Sequence, residues 1–519
     1  AELVEWFNRS NATTNPDTTY GDAGDFAAIF LEAKAIDELT VEIGLVSPVF
    51  YCLPISQFGC LSAARGPHKV TSADTEGIDW ARAHHIGTGP YVQGDDCKPG
   101  DRCSVEAVSE HWRQVGNVAK ITGIQVPEAT VQISMLENGQ IDMVVLDYKL
   151  LPDVVASGEF RFLETMPGGF VGQSILFPGN LWEHSHARTA EALNPWDAAP
   201  HEVDNPWIGN PWGDQGNTCS DGSGPGGASD GYTLCGNAAY TDENNPDGMD
   251  DMEQARLVRL ALGIAIDRGA INESLLNGIG TAIYSEYMGP EYPGWDATRL
   301  TGCFDWLGNK VTCEGSAQSV PWKLEDGDLV EADRLLELAG YPLVDDVRVG
   351  FGELVLQAYA AEAGPVGLEV ADTIMSDWAR LGIPISGLVE DYGGVISPRM
   401  RQRVQFLPVL KNGDVHSNVY PIDWPLPTVD TSSSRPGWGV GFESQAGAKW
   451  LFEILGEKDA SVRSEKHLNW VDWSMFWIQY TGVFQVPKGI VVNDRIKSWD
   501  GFQQHYSNVS GNPEFIVLN

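Results

Sequence analysis

Hydrophobic positions in the middle of the chain recur at helical spacing. From Met252 the run MEQARLVRLALGIAIDRGAINESLLNGIGTA sets Leu257, Leu260, Ala261, Ile264 and Ala265 three and four residues apart, one stripe on a helix. Asp250, Asp251 and Glu253 crowd its start, where negative charge suits the macrodipole. A second short helix over Gly269–Leu276 is expected to stop at Gly278 and Gly280, residues able to turn left-handed. Asp328–Tyr341 predicts a helix closed by Gly340 before Pro342. In the next helix Val370, Ile374, Trp378 and Leu381 share one face; Gly382 ends it and a strand follows over Ile383–Val389. Lys449–Leu455 and Val462–Trp477 predict two more helices.

Other stretches alternate. KAIDELTVEIGL reads as one strand ending at Leu45, after an amphipathic fragment AELVEWFNRS. Thr130–Met143 predicts a short helix with Val131, Met135 and Leu136 inward, ending at Gly139, then a strand carrying Ile141, Met143 and Val145. Leu151–Ser157 predicts a helix and Phe160–Glu164 a strand. Gly87, Gly89 and Pro90 break the chain, and Pro99-Gly100-Asp101 makes a hairpin tip. Alternation of helix and strand implies a parallel or mixed sheet covered by helices. Ligands of such sheets sit beyond the strand ends.

At 519 residues the chain exceeds one core and predicts two to three lobes. It contains no apolar run of membrane-spanning length. Its 33 basic against 72 acidic residues give a net charge of −39, a surface that repels phosphate backbones and anionic lipid. Nucleic acid is therefore excluded as a partner, and solubility explains the charge. Eight cysteines form four local pairs: Cys52 with Cys60, Cys97 with Cys103, Cys219 with Cys235, and Cys303 with Cys313. Their spacings match no metal motif but suit short disulfide loops, although sequence leaves the connectivity open. Disulfides place the chain in an oxidising compartment. No Walker A, HExxH, GxSxG or GxGxxG motif is present. His184, His186 and His201 read as polar surface. TDENNPDGMDD fails the calcium-loop template because Pro246 takes a ligand position. No cofactor and no metal are expected.

IGTGPYV at Ile86–Val92, KPGDR at Lys98–Arg102, TVQISMLENGQIDM, ALGIAIDRGAINESLLNGIGTA, DLVEADRLLELAGY and VPKGIVVNDRIKSWDGF occur in that order. In this order they resemble the family 5 extracellular solute-binding proteins, which carry peptides, nickel or sugars to ABC importers. The resemblance covers most of residues 1–180 and 252–519 and implies an α/β fold of the two-lobed periplasmic-binding-protein type, with mixed sheets and a hinged cleft. It assigns 1–85 to the remainder of small lobe II, 86–180 and 484–519 to lobe I, and 252–483 to lobe III. Residues 181–251 form a Trp- and Gly-rich insert foreign to the family, with Asn-Pro-Trp steps led by Asn194, Asn205 and Asn210. Tryptophans and the Cys219–Cys235 pair make it an ordered excursion. The opening strands of the family are missing, so a segment is expected to precede Ala1.

The resemblance also names site residues. MPGGFVGQSILF corresponds to a segment lining the cleft, with Phe170 and Gln173 as candidates. Asp423, in NVYPIDWPLP, falls where peptide-binding members hold the ligand's α-amino group, flanked by Tyr420 and Trp424; Trp438 is expected near the same face. A carboxylate in a drying cleft holds an ammonium by charge-assisted hydrogen bonds. Pro425 and Pro427 stiffen the loop and lower its ordering cost. The bland alternative for Asp423 is a solvated turn residue, and for Phe170 a core aromatic. The implied function is capture of an oligopeptide and its delivery to an ABC permease, without catalytic residues. The protein would be a monomer, periplasmic or extracellular, with the option of a lipid anchor. Oligosaccharide binding is the second reading, resting on 18 tryptophans. A secreted carboxylate hydrolase and a cell-surface scaffold are the readings from other classes.

Overall fold

A computed structural model of the chain describes residues 30–37, 40–45, 89–98, 100–146, 150–164, 169–180, 182, 205–214, 218–219, 232–234, 239–284, 302–313, 326–358, 366–401, 404–416, 442, 444–487, 489–500, 502–505 and 508–519. The chain divides into two compact units, Ala1–Gly169 with Pro487–Asn519, and Phe170–Val486.

In the first unit an antiparallel sheet joins Tyr91–Gln93, Arg102–Ala107 and Lys120–Ile124. Its hairpin tip forms as the turn chemistry demands: Asp101 N–H donates to the Lys98 carbonyl at 3.1 Å, Gly100 takes a φ of 76°, and the Cys97–Cys103 disulfide closes the base. A second sheet sets Gly489–Val492 between Met143–Val144 and Arg161–Glu164, so the late chain supplies a central strand. Its core is Ile490, Val492, Ile496 and Ile516. Val491 faces both neighbours, pairing with Val144 and Phe162. Gly489 is required there, since a Cβ would collide with the Phe162 ring.

Two local expectations change in this unit. KAIDELTVEIGL is not one strand but the second half of a hairpin, Phe30–Ala35 against Val41–Leu45, because Ile36 N–H bonds to the Thr40 carbonyl at 2.9 Å and turns the chain. In the helix Ala129–Glu137, Leu136 is buried but Val131 is exposed, since one face of so short a helix reaches the core.

The second unit is built on a six-stranded sheet. Its order is Thr281–Ala282, Tyr480–Pro487, Gly169–Leu176, Val409–His416, Leu354–Ala358 and Ile385–Val389. Leu354–Ala358 runs parallel to both Ile385–Val389 and Val409–His416, and the helix Gly367–Ala379 makes the first crossover. Val370, Ile374 and Trp378 bury its inner face, and Trp378 Nε1 donates to the Leu262 carbonyl at 2.8 Å.

The helix Asp251–Ala265 begins where the acidic residues predict, with the Asp250 carboxylate accepting from Glu253 N–H at 2.9 Å. It is not half-exposed: every residue of it is buried. Gln254, Arg256 and Arg259 on it are hydrogen-bonded within the core. Glu253 grips Arg256 through two bonds of 2.6 Å, and the Arg256 guanidinium stacks 4.1 Å from the Phe476 ring centroid. The following helix, Arg268–Leu276, ends at Asn277 and Gly278, both left-handed. Gly280 serves a different purpose from the expected stop: a Cβ there would come within 2.7 Å of Asn272 Oδ1. Arg268 reaches the Gly482 carbonyl at 2.9 Å and Thr481 Oγ1 at 2.9 Å, tying this helix to a sheet strand.

An aromatic layer covers the C-terminal helix Ala460–Trp477. Trp182 meets Trp477 edge-on at 5.4 Å and Phe442 at 5.2 Å, and Trp470 meets Trp473 at 5.9 Å. Trp182 and Trp207, from the expected insert, are among the most deeply buried side chains. Asn210 Oδ1 accepts from Trp212 N–H at 2.6 Å, so the Asn-Pro-Trp step is a side-chain-closed turn that seats its tryptophan. In the acidic stretch, Asp242 and Asn245 close turns, with Asp242 Oδ1 accepting from Asn244 N–H at 2.7 Å. Cys219 is buried and disulfide-bonded; Cys235, Cys52 and Cys60 lie outside the described residues.

Candidate functional site

Parallel strands share a carboxyl edge, and in this sheet Ala358 and Val389 end together. The neighbouring strand is out of step with them. Val409 pairs with Gln357, near the end of the short strand, so Val409–His416 starts level with that edge and continues past it. The remaining seven residues carry the chain about 23 Å beyond, at roughly 3.3 Å per residue. The result is a ledge beside an overhanging strand, the kind of strand-end position where open sheets hold ligands.

Four polar side chains meet at this ledge. Arg399, on the short helix Ser397–Arg401, donates to Glu390 Oε2 at 2.6 Å. Glu390 directly follows the strand Ile385–Val389, and its N–H bonds to the Ala358 carbonyl at 3.0 Å. Gln357 Nε2 donates to the same Glu390 oxygen. Gln405 Nε2 donates to Gln357 Oε1 at 2.7 Å and to the Leu407 carbonyl at 3.1 Å. Gln357 and Gln405 are buried, whereas Arg399 and Glu390 remain partly open. Next to them, Phe406 receives a hydrogen bond from Trp207 Nε1 at its carbonyl, 2.9 Å away.

Sequence reasoning did not find this group. Its members span 48 residues, belong to no motif, and meet because parallel pairing sets separate strand ends side by side. DYGGVISPRM is helical as the resemblance implies, a π-helical turn Tyr392–Ile396 that runs into the α-helix Ser397–Arg401 and so delivers Arg399.

Of the expected site residues, Gln173 is fully buried on Gly169–Leu176. Phe170 lies on the same strand. That strand is the hydrogen-bonded neighbour of Val409–His416, whose end leads towards Tyr420, Asp423 and Trp424. Tyr420, Asp423, Trp424 and Trp438 themselves lie outside the described residues. Of the two expected ligand segments, the sheet places Gly169–Leu176, beside the strand that precedes the other in sequence.

The family model for bacterial extracellular solute-binding proteins, family 5 Middle, matches residues 3–164 and 239–408. The chain belongs to this family. The gap in the match, residues 165–238, overlaps most of the segment that sequence alone marked as foreign. Solved structures agree on the fold of this family 5 protein. A periplasmic binding protein DppA from Helicobacter pylori, in complex with the peptide STSA, superposes with a TM-score of 0.66 at 12% identity, covering 100% of this chain and 81% of that one. The oligopeptide-binding protein AppA from Bacillus subtilis, in complex with a nonapeptide, gives 0.63 at 13% identity, covering 100% and 83%. NikA from Brucella suis, in complex with Fe(III)-EDTA, gives 0.63 at 13% identity, covering 100% and 84%. Identities this low carry the fold, a mixed α/β protein of the two-lobed periplasmic-binding type, and not the cargo. No curated protein matches the sequence. The family is one of binding proteins, and among the described residues no helix is long and apolar enough to cross a membrane.

Proposed function

We propose that this family 5 protein captures an oligopeptide outside the cytoplasm and delivers it to an ABC permease as a monomer. The observation that carries the reading is the adjacency of Gly169–Leu176 and Val409–His416, the strands that bear Phe170 and Gln173 and that lead to Asp423. In this reading the Asp423 carboxylate holds the peptide's α-ammonium, while Tyr420, Trp424 and Trp438 pack on its first side chains. Binding favours the closed population of the protein, and the permease reads that shift. Two structural relatives carry peptide ligands, which agrees with the proposal; a third carries a chelated metal. Exported disulfides fit the same location.

Oligosaccharide capture is weakened by one fact: Trp182, Trp207, Trp378, Trp470, Trp473 and Trp477 are fully buried and offer no ring face to a sugar. Calorimetry with di- to hexapeptides and with cello- and xylo-oligosaccharides separates the cargoes. Peptide heats that fall at least tenfold in affinity on Asp423→Asn support the proposal, while sugar heats alone reject it. Product formation would instead favour a hydrolase, and ligand-free assembly through residues 179–251 a scaffold.

A further inference from the structure

One hairpin of the second unit wears its polarity inside out. Leu343–Val344 pairs antiparallel with Val347–Arg348 across the turn Asp345-Asp346, where both residues take a positive φ, 51° and 61°. This is the mirror-image turn whose twist matches tight hairpins. Paired residues share a face, and successive residues alternate between faces. Leu343 and Arg348 therefore turn inward, while Val344, Val347 and Val349 turn outward. The inward face is fastened down. Arg348 is buried and donates to the Leu381 carbonyl at 2.8 and 3.0 Å and to the Tyr341 carbonyl at 3.0 Å, with Asp333 as its counter-ion. Its backbone N–H bonds to the Gly382 carbonyl at 2.8 Å. Gly382 leaves room for Leu343, whose Cδ1 would stand 2.4 Å from a Cβ there. The outward face carries no polar side chain: Val344, Val347 and Val349 are 51%, 52% and 49% exposed, with Pro342 exposed beside them. A sheet face turned to water normally reads polar, and threonine offers the same branching with a hydroxyl. A lone exposed valine is ordinary, but a paired face made only of them, with the arginine turned inside, marks a surface to be covered.

Size and charge say what covers it. Three half-exposed valines offer on the order of 200 Å² of apolar surface, far short of the ~800 Å² per partner of a stable interface, which suits a partner met and released in each cycle. A second copy is opposed by the net charge of −39 on each chain and by exposed Asp345 and Asp346 at the tip. The fitting surface is basic, with a shallow apolar recess. We propose that this hairpin docks on the extracytoplasmic face of the transporter's permease subunit: an apolar recess there takes Val344, Val347 and Val349, and basic residues at its rim pair with Asp345 and Asp346. The assignment rests on the delivery reading above and adds the surface through which delivery is made. The bonds of Arg348 hold the hairpin in shape beforehand, so docking costs little ordering.

The test is uptake of radiolabelled di- to hexa-alanine by cells whose gene for this chain is deleted and replaced by wild type or variant. Val344→Thr/Val347→Thr/Val349→Thr keeps the branched shape and puts hydroxyls on the outward face. Asp345→Asn/Asp346→Gly removes both charges with the residues that best suit the same turn. A thermal melt checks that each variant folds, and calorimetry that each holds its peptide. The threonine variant is expected to lower uptake about tenfold at unchanged peptide affinity, since each hydroxyl must be desolvated without a partner. The neutral tip should lower uptake severalfold at low salt and less at high salt, where screening weakens the attraction in wild type as well. Should the threonine variant not fold, the tip variant decides. Uptake equal to wild type in folded variants overturns the docking surface and leaves delivery standing. A wild-type dimer in light scattering that the threonine variant loses also overturns it, in favour of self-association. A wild-type chain that binds no peptide, or restores no uptake, overturns the delivery reading and the assignment with it.

Discussion

Arg259 Nη1 donates to the carbonyl oxygen of Trp207 at 2.6 Å, linking the buried helix to a tryptophan 52 residues earlier in the chain. The same guanidinium reaches the Trp477 carbonyl at 2.9 and 3.1 Å and Asn180 Oδ1 at 3.2 Å. One side chain therefore joins the helix Asp251–Ala265, the C-terminal end of Ala460–Trp477 and residues from the stretch that the family model leaves unmatched. That segment is fastened into the core of the second unit at this point.

Removing the clamp should be costly. Arg259→Ala leaves the buried Trp477 carbonyl without its donor and takes one of two donors from the Trp207 carbonyl and from Asn180 Oδ1, and is expected to destabilise the second unit by about 1–3 kcal/mol. Arg259→Lys should recover only part of this, because an ammonium lacks the planar fork that reaches several acceptors at once. Urea unfolding followed by tryptophan fluorescence measures both; a loss below 1 kcal/mol for the alanine variant rejects the clamp.

The aromatic layer makes a second prediction. Trp182→Ala removes an indole packed edge-on against Phe442 and Trp477, and should cost about 3–5 kcal/mol. Trp182→Phe keeps most of the volume and should cost markedly less. A truncation that leaves the melting temperature unchanged would show that the segment does not belong to the core.

The helix start titrates. Burial, only partly offset by the Glu253 N–H bond and Arg256, pushes Asp250 up to about 6; burial likewise pushes Glu253 up to about 7 despite its grip on Arg256. Carboxyls whose folded pKa exceeds the unfolded one stabilise the protein below the unfolded value, near 4, and that contribution is lost as pH rises through 6 to 7. Stability should therefore decline across this window. Glu253→Gln, which also breaks the pair with Arg256, should lower stability at every pH but flatten the slope between pH 5 and 7.5. Thermal melts across that range in one buffer series decide it; an unchanged slope rejects the assignment.

Reduction should weaken each unit separately. Cys97–Cys103 closes a hairpin in the first and Cys303–Cys313 a ten-residue separation in the second, where Cys303 is fully buried. Replacing Cys303 and Cys313 together by alanine should cost about 2–3 kcal/mol through the gain in unfolded-chain freedom. The readout is the urea midpoint of the second unit, and no shift would show that the loop is held by packing alone.

Much of this protein is written locally. The helices at Asp251–Ala265, Leu329–Leu338 and Gly367–Ala379 follow from apolar spacing, from the Asp250 and Asp328 caps, and from left-handed glycines at Gly340 and Gly382. The Lys98–Arg102 turn and the order of motifs that marks the family are equally short-range. These signals involve residues a turn or two apart, so sequence carries them without knowledge of the rest of the chain.

What the sequence could not decide depends on residues far apart meeting. Periodicity predicts one apolar stripe on Asp251–Ala265, yet that helix is buried on every side because Arg256 and Arg259 find carbonyls more than 200 residues away. Val131 fits an inward pattern but is exposed. Trp182, Trp207, Trp378, Trp470, Trp473 and Trp477 turn out to be core, and the ledge of Gln357, Glu390 and Gln405 exists only because three parallel strands start and stop at offset levels. Spacing along a chain fixes which face a side chain takes; only the packed sheet determines what that face meets, and hence which polar groups find a partner.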